Sequence, residues 1–184
     1  MRAGALFVRL AGIRSAGDFM EQSTRRDKTS YYLDLAEVVA KRSTCLKRRY
    51  GAVIVKCDEV IATGYAGSPR GRKNCCDIGE CVRARLQIPR GERYELCRSV
   101  HAEANAIISA KRSAMLGGAL YLVGVEAQTC AYVRNANSCS MCKRLIINAG
   151  IESVFIRDTA DAYREISVQD WIDHDESLDG SFGY

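Results

Sequence analysis

The spacing of apolar positions changes along the chain, and these changes predict an ordered series of helices and strands. Between residues 31 and 41 apolar side chains recur at helical spacing, and Thr29-Ser30 before them is a candidate N-cap. Cys57-Asp58-Glu59 is typical of a hairpin turn between two β-branched runs. The predicted elements are a helix at 31–41, strands at 51–55 and 60–65, a helix at 101–112, a strand at 119–123, a helix at 139–148, a strand at 151–156 and a helix at 163–171.

This order of elements predicts an α/β fold, specifically a three-layer α/β/α sandwich around a mixed sheet, because a helix that joins two strands crosses one face of the sheet. We expect the folded domain to span residues 29–160. Residues 1–28 are expected to form an N-terminal extension that is disordered or not native to the protein. Residues 1–17 carry three Arg and no acid, which is typical of a mitochondrial-type presequence or of translated sequence upstream of a true start at Met20. Residues 161–184 are expected to form a C-terminal helix and an acidic tail.

Two segments lack this regularity. Residues 66–98 are rich in Gly, Arg and Cys and show neither helical nor strand periodicity. A long irregular segment inside a compact domain usually serves function or is held by a metal. Residues 124–137 are polar and turn-like, with a possible small hairpin around Tyr132 and Val133.

The net charge of +5 is unevenly distributed along the 184 residues. Residues 31–157 carry +9, whereas residues 158–184 carry −7. Basic clusters such as Lys47-Arg48-Arg49 are usually solvated, and a small phosphorylated substrate needs only one or two of them, while duplex binding needs a continuous basic stripe. We therefore expect a small-molecule partner and no nucleic acid.

Composition narrows the class of protein further. Hydrophobic residues make up 47% of the chain, which favours a globular protein over a disordered one. No apolar stretch reaches the roughly 18–20 residues that span a bilayer, so we expect no membrane segment. Nine cysteines without a clear secretory signal argue against a pure disulfide framework and favour metal binding in the cytoplasm.

Two short motifs carry candidate chemistry. His101-Ala102-Glu103 opens one predicted helix, and Cys139-Ser140-Met141-Cys142 opens another. The only other histidine, His174, lies in the acidic tail. Each motif alone is weak, because H-x-E occurs by chance and C-x-x-C also occurs in redox and structural sites. In this order, each at a helix start and with a strand between them, they match the signature of zinc nucleobase deaminases.

The residue types suit a catalytic zinc centre. Cys139 and Cys142 share one helix face, and a helix N-terminus lowers the pKa of thiols. Together with His101 they offer three protein ligands, which leaves a fourth position for water. Glu103, two residues from His101, can lie beside the metal without ligating it and can move protons between water, the ring nitrogen and the leaving ammonia.

At these residues the chain resembles the deoxycytidylate (dCMP) deaminase family of the cytidine deaminase-like superfamily. The resemblance extends over about residues 31–157. The matching segments are Arg42-Ser43-Thr44-Cys45, residues 51–55, residues 64–71, Asn74-Cys75-Cys76-Asp77, residues 99–107 and residues 139–151. It implies a cytidine deaminase-like sandwich and hydrolysis of dCMP to dUMP and ammonia, with zinc-bound hydroxide attacking C4 of cytosine. It also implies a homo-oligomer, commonly a hexamer, with dCTP and dTTP as effectors in many members.

The chain departs from the family pattern in three places. Ala66 replaces an Asn that the family is expected to place near the nucleotide sugar, Ser138 replaces a Pro before the first metal Cys, and residues 124–137 are longer than the family loop. Three alternatives to dCMP deamination stay open, of which Ala66 and the insertion at residues 124–137 motivate the first. They are a modified deoxycytidylate or another cytosine nucleotide or nucleoside, a non-catalytic zinc nucleotide-binding protein, and a nucleic-acid editor, which would need a basic channel.

The resemblance also implies further site residues. A possible second, structural zinc would use Cys45 and Cys75, to which this chain adds Cys81 and Cys97, while the alternative is that several of these cysteines are free thiols. Charge and loop position make Ser68, Arg70, Arg72 and Lys73 candidates for phosphate binding, with Arg112 at the end of the helix that His101 begins. Tyr65 and Ala66 are candidates to line the pocket, and Asn105 is expected to be structural rather than catalytic.

Overall fold

The computed structural model of the protein describes residues 25–179. Their regular elements, in chain order, are α1 (Lys28–Ala40), β1 (Arg48–Lys56), β2 (Glu59–Tyr65), α2 (Cys75–Ile78), α3 (Val82–Arg85), a 3₁₀ helix (Tyr94–Leu96), α4 (Ala102–Ile108), α5 (Arg112–Met115), β3 (Ala119–Glu126), α6 (Ser140–Ala149), β4 (Ser153–Arg157), β5 (Tyr163–Ser167), α7 (Val168–His174) and a second 3₁₀ helix (Glu176–Leu178).

The strands form a mixed sheet of five strands in the order β2-β1-β3-β4-β5. β1 pairs antiparallel with β2 and β3, β3 pairs parallel with β4, and β4 pairs antiparallel with β5. The predicted hairpin between β1 and β2 is confirmed, because Cys57 and Asp58 have φ angles of +49° and +68° and form a tight turn. The mixed sheet predicted from the order of elements is present.

Helices cover both faces of the sheet, which confirms the predicted three-layer sandwich. On one face α1 packs against β1 and β3 around Leu33, Ala36, Val53 and Val123. On the other face α4, α6 and α7 enclose a larger core with Ile54, Leu120, Ile146 and Trp171 among its members. The two β1 side chains Val53 and Ile54 face opposite layers, as the alternation of a strand requires.

Glycines let α1 and α4 approach the sheet closely. A Cβ at Gly51 would lie 2.2 Å from the Ala36 carbonyl oxygen, and a Cβ at Gly64 would lie 2.3 Å from the Ala102 carbonyl oxygen. Both distances are far inside van der Waals contact, so only glycine permits this spacing. The close approach at Gly64 sets the distance between β2 and α4, the helix whose first turn carries the H-x-E motif.

Three local predictions are corrected. α1 begins at Lys28 rather than at residue 31, because the Asp27 side chain, and not Thr29 or Ser30, caps the helix by accepting from the Ser30 N–H. The helix predicted at 101–112 ends at Ile108, and Arg112 begins the separate helix α5. The helix predicted at 163–171 is wrong in its first half, where residues 163–167 form the edge strand β5.

The irregular segment 66–98 holds three very short helices and otherwise lacks regular structure, as its composition predicts. In the part of the chain that the structure describes, no helix is both long and apolar enough to cross a membrane. Residues 1–24 and 180–184 lie outside the described residues, and with them most of the predicted N-terminal extension and the end of the acidic tail. The division of the chain at residues 28 and 160 stays a prediction.

Candidate metal centre and active site

Two helix N-termini bring the predicted metal ligands together. His101 is the N-cap residue of α4, and Cys139 is the N-cap residue of α6. Cys142 lies in the first turn of α6, three residues on, and therefore on the same face of the helix as Cys139. Because both helices pack on the same face of the sheet, residues almost 40 positions apart in sequence meet at one place.

The three side chains converge as ligands of one ion would. The His101 Nδ1 lies 3.3 Å from the Cys139 Sγ and 3.5 Å from the Cys142 Sγ. Among the described residues, these three form the one group of His, Cys or acidic side chains whose ligand atoms all lie within 4.8 Å of one another. Cys142 is buried and the other two are half-buried, so the cluster is partly accessible to solvent.

The ionisation of the two thiols fits a cation at this position. The Cys142 thiol and the His101 imidazole, by hydrogen bonding, lower the pKa of Cys139 to about 4. The same partnership with Cys139, together with burial and the charge of Glu103, raises the pKa of Cys142. One thiolate therefore forms readily, while the second needs an added positive charge. A divalent ion supplies that charge, so a set of two sulfurs and one imidazole suits zinc.

The His101 imidazole responds to the same neighbours. Burial lowers its pKa, but the hydrogen bond with Cys139 and the charge of Glu103 outweigh burial and hold the pKa above its ordinary value. Its Nδ1 is the nitrogen that faces both sulfurs. From the N-cap position of α4, the imidazole therefore directs its Nδ1 toward the two cysteine sulfurs.

Glu103 is almost completely buried beside this cluster, with 4% of its surface exposed. Burial raises the pKa of its carboxyl above the ordinary range, and the charge of His101 opposes the rise. Ser138 also acts to lower the pKa of Glu103, although the Ser138 hydroxyl has no hydrogen bond of normal geometry. A buried carboxyl that ionises less readily than usual is suited to hold and release a proton.

The loop that precedes Cys139 is held by hydrogen bonds to residues from other parts of the chain. The Arg164 Nη2 donates to the Ala136 carbonyl oxygen at 2.7 Å, and the Tyr132 hydroxyl donates to the Glu37 carboxylate at 2.7 Å. Val125 and Tyr132 form an isolated β-bridge, so the suggested hairpin of residues 124–137 is present. Ser138 replaces the family Pro within a loop that these contacts hold.

The predicted pocket residues at the end of β2 lie close to α4. The Asn105 side chain donates to the Tyr65 carbonyl oxygen at 2.8 Å, as its predicted structural role requires. The Ala66 N–H donates to the Tyr50 carbonyl oxygen at 3.0 Å, and the Ala66 carbonyl accepts from the Thr44 N–H at 3.1 Å. Ala66 is buried and offers no polar side chain where the family has Asn.

The candidate phosphate-binding residues are scattered. The Ser68 hydroxyl is buried and has no partner among the described residues, while Arg70 and Arg72 are exposed on the turn that follows. Arg112 follows the C-terminal end of α4, whereas His101 caps the N-terminal end, and the Arg112 Nε donates to the Asn148 carbonyl oxygen at 2.8 Å. The predicted position of Arg112 on the helix of His101 is therefore wrong. The phosphate-binding roles of all five candidates stay predictions: Ser68, Arg70, Arg72, Lys73 and Arg112.

The four cysteines of the suggested second metal site share one neighbourhood. Burial raises the pKa of Cys75, and ionisation of Cys45, Cys97 or Cys81 would raise it further. The Cys75 sulfur also contacts the Ser99 hydroxyl at 4.0 Å. The ligand atoms of the His101 cluster all lie within 4.8 Å of one another. Among residues 25–179, no three of these four sulfurs converge as closely. Their thiols are near one another, and the second metal site stays a prediction.

Two aromatic residues near the cluster were missed by the sequence analysis. The Tyr94 ring meets the His101 ring edge-on, with centroids 5.0 Å apart and planes at 83°. Burial, and then the charge of Glu103, raise the pKa of Tyr50 to about 12, which places Tyr50 within electrostatic range of the Glu103 carboxyl. Tyr94 lies in an irregular segment, where no periodicity marks a side chain as inward-facing.

Comparison with known proteins agrees with this site. The family profile described as "Cytidine and deoxycytidylate deaminase zinc-binding region" matches residues 26–157. Deoxycytidylate deaminase of Schizosaccharomyces pombe is 38% identical over 125 residues, which are 68% of this chain and 35% of that protein. Deoxycytidylate deaminase of Mycobacterium phage D29 is 35% identical over 137 residues, 71% of this chain and 94% of that protein. The apo crystal structure of dCMP deaminase from cyanophage S-TIM5 has a TM-score of 0.50 and 25% identity, covering 72% of this chain and 84% of that chain.

The chain spans about a third of the length of the two yeast deoxycytidylate deaminases that it matches. It covers nearly the whole of the mycobacteriophage protein, and the matched profile extends over most of the described residues. The matched residues include His101, Glu103, Cys139 and Cys142. The chain therefore belongs to the deoxycytidylate deaminase family, within the cytidine deaminase-like superfamily.

Proposed function

We propose that the chain is a zinc-dependent hydrolytic deaminase that converts dCMP to dUMP and ammonia. The observation that carries this proposal is the convergence of one imidazole and two thiols at two helix N-termini, with a buried carboxyl beside them. The relatives named deoxycytidylate deaminase support the choice of dCMP. The reaction adds one water at C4 of cytosine and releases the 4-amino group as ammonia, so its atoms balance without a further reactant.

His101, Cys139 and Cys142 would hold the zinc ion. Three protein donors are the number found in catalytic zinc sites, whereas structural sites have four. When bound, zinc supplies the Lewis acidity that activates water near neutral pH. The helix N-termini that carry the ligands stabilise the negative charge of the thiolates.

Glu103 would carry out the proton transfers. Its carboxylate would take a proton from the attacking water and deliver it to N3 of cytosine. It would then transfer the second proton to the 4-amino nitrogen, which leaves as ammonia. Burial supports this role because it raises the pKa of the carboxyl and so brings its two protonation states closer in free energy at neutral pH.

Replacing Glu103 tests this assignment. Glu103→Gln keeps the size of the side chain but cannot accept a proton, so we expect kcat for ammonia release to fall by about 10²–10⁴-fold with the zinc content unchanged. Glu165→Gln, on the exposed edge strand β5, is the matched control and should keep wild-type activity. Full activity of Glu103→Gln would exclude Glu103 as the proton carrier, and loss of zinc would assign it to the metal site instead.

A second substrate remains a candidate because of Ala66. The buried Ala66 side chain cannot form the hydrogen bond that an Asn would offer to a sugar. This observation favours a modified deoxycytidylate, or another cytosine nucleotide or nucleoside, as the alternative. Ammonia release from dCMP, CMP, deoxycytidine and 5-substituted dCMP separates these substrates. Failure with every one of them, in protein that contains zinc, would favour the non-catalytic zinc nucleotide-binding protein.

Phosphate recognition is proposed for the turn that follows β2. Ser68, Arg70 and Arg72 lie on one short stretch, and the partnerless Ser68 hydroxyl supports a ligand there. Arg112 has less support, because it lies beyond the far end of α4. Comparing KM for dCMP and deoxycytidine in Arg70→Ala and Arg72→Ala isolates the contribution of each guanidinium to phosphate binding.

The four cysteines near α2 are proposed as a second zinc site. Mutual electrostatic influence of Cys45, Cys75, Cys81 and Cys97 supports this proposal, because a divalent ion would relieve the repulsion between their thiolates. Metal analysis gives two zinc ions per chain if the site exists and one if it does not. Cys81→Ser should then lower the count by one while deamination persists.

The family also motivates proposals about assembly and location. We propose a homo-oligomer, with a hexamer favoured, dCTP and dTTP as possible effectors, and a cytoplasmic location. Exposed apolar side chains on the outward surfaces of α4 and α6, at Ile108, Met141 and Leu145, support self-association. Light scattering of the purified chain measures the subunit number, and titration of dCTP or dTTP during turnover tests the effectors.

A further inference from the structure

Residues 82–97, here called the strap, contact the metal centre through Tyr94, whose ring meets the His101 ring edge-on. The strap contains α3 and the short 3₁₀ helix Tyr94–Leu96. Arg83, near the start of the strap, forms its main internal hydrogen bonds. Its Nη2 donates to the Pro89 carbonyl oxygen at 2.5 Å and to the Glu92 carbonyl oxygen at 2.6 Å. One guanidinium therefore folds the strap back on itself, where apolar side chains are too few to do so.

The strap delivers one aromatic ring to the metal centre. Arg93 adopts a left-handed conformation, with φ of +45° and ψ of +50°, directly before Tyr94. Such a conformation is unfavourable for a residue with a Cβ, so the surrounding contacts must hold it. The Tyr94 ring is fixed between the Arg83 guanidinium, 4.4 Å from its centroid, and the His101 ring, 5.0 Å from it.

Tyr94 has aromatic and basic neighbours. Tyr50 and Arg48 lie within electrostatic range of it. The Arg90 Nη2 donates to the carbonyl oxygens of Arg134 and Asn135 at 3.1 and 3.2 Å. The strap is thereby attached to the loop that precedes Cys139, and through Tyr94 it also contacts His101.

We propose that Tyr94 is a wall of the nucleotide pocket and determines how tightly the cytosine nucleotide binds. The proposal rests on the deaminase function proposed above. Tyr94 is only half-buried, so part of its ring is available to a ligand beside His101. A planar pyrimidine gains free energy by contact with such a ring, and removal of an aromatic partner of a base typically weakens binding by roughly tenfold to a hundredfold.

Two substitutions at this position test the proposal in the zinc-loaded protein. Tyr94→Ala should raise KM for dCMP by roughly tenfold or more and change kcat by less than about threefold. Tyr94→Phe keeps the ring and should restore KM to near the wild-type value. Equilibrium binding of dCMP in the Glu103→Gln background, where no turnover occurs, should weaken by the same factor. Tyr31→Ala is the matched control, since Tyr31 is exposed on α1 across the sheet.

The outcomes separate a pocket wall from a structural support of His101. If Tyr94→Ala loses zinc, or lowers kcat while KM is unchanged, Tyr94 supports the imidazole and the proposal is overturned. An unchanged KM and an unchanged dCMP affinity overturn it as well. If the wild-type protein releases no ammonia from any cytosine substrate, the proposed function fails first. Wild-type turnover with an unaffected Tyr94→Ala contradicts only this inference.

Discussion

The sheet, with the two helices that carry the candidate metal ligands, and the irregular segment 66–98 are stabilised by different kinds of interaction. In the sheet, backbone hydrogen bonds and burial of apolar side chains position α4 and α6. Gly64 allows β2 and α4 to pack in direct backbone contact, where a Cβ would not fit. In the irregular segment, single arginines reach carbonyl oxygens, as Arg83 does at Pro89 and Glu92. The first arrangement involves many side chains at once, whereas the second depends on a few.

This difference indicates how the site divides its tasks. The candidate metal ligands and Glu103 need fixed positions in the roles proposed for them, because proton transfer and metal binding tolerate little displacement. They are carried by the most buried part of the protein. A substrate of the proposed reaction must enter and leave. The strap, whose Tyr94 ring contacts His101, is held by hydrogen bonds from single arginines, which is typical of segments that open at low cost.

The largest effect is expected where the core is tightest. Gly64→Ala would place a Cβ 2.3 Å from the Ala106 backbone nitrogen, so α4 would have to move away from β2. We expect a loss of about 3 kcal/mol or more in the free energy of unfolding, together with loss of zinc. Urea unfolding and metal analysis on the same sample measure both quantities.

Gly79→Ala is the matched control from the irregular segment. Gly79 has a φ of +75° but nothing within 4 Å of its Cβ position, so its cost should be about 1 kcal/mol from backbone conformation alone. Equal effects of the two substitutions would mean that the core is no more tightly constrained than the irregular segment.

An intermediate effect is expected where the C-terminal segment meets α6. Lys143 donates to the Asp175 carboxylate, and their side chains are only 10% and 15% exposed. Asp175→Asn would leave the Lys143 ammonium without its counter-charge and should cost about 1–3 kcal/mol of stability. Asp173→Asn, exposed on α7, is the control and should change stability by less than about 0.5 kcal/mol. Thermal unfolding of both variants measures the difference, and similar values would show that the ion pair contributes little.

The smallest effect on global stability is expected in the strap. Arg83→Gln removes its bonds to two carbonyl oxygens but disturbs few apolar contacts, so the Tm should fall by less than about 4 °C. Local opening should increase instead. Hydrogen exchange of the Cys97 amide, which bonds the Tyr94 carbonyl oxygen, should accelerate, while exchange in β1 stays unchanged. A uniform acceleration in both places would show that the strap unfolds only with the core.

Much of the fold could be predicted because local patterns and tertiary contacts agree there. The β1–β2 hairpin and α6 with its terminator Gly150 follow from periodicity and turn residues. β5 could not be predicted in this way, because an edge strand buries little and residues 163–167 carry no apolar alternation. It is a strand because β4 offers unpaired backbone groups, which depends on the rest of the sheet.

The candidate site divides along the same line. The order of H-x-E and C-x-x-C, each at a helix start, identified His101, Glu103, Cys139 and Cys142 without coordinates. Tyr94 could not be predicted from the sequence. Its position beside His101 depends on the left-handed conformation of Arg93 and on the hydrogen bonds that the Arg83 guanidinium forms within the strap. Arg112 was placed wrongly, since a helix break at Ser109 is not marked by any proline or glycine.

The sequence by itself determined which residues form the candidate site, because the imidazole, the two thiols and the carboxyl are specified by residue type and by short spacing at two helix starts. Only the tertiary structure decided how the site is enclosed and which side chains border it. Those contacts join residues far apart in sequence through arginines and carbonyl oxygens, and no local periodicity records them.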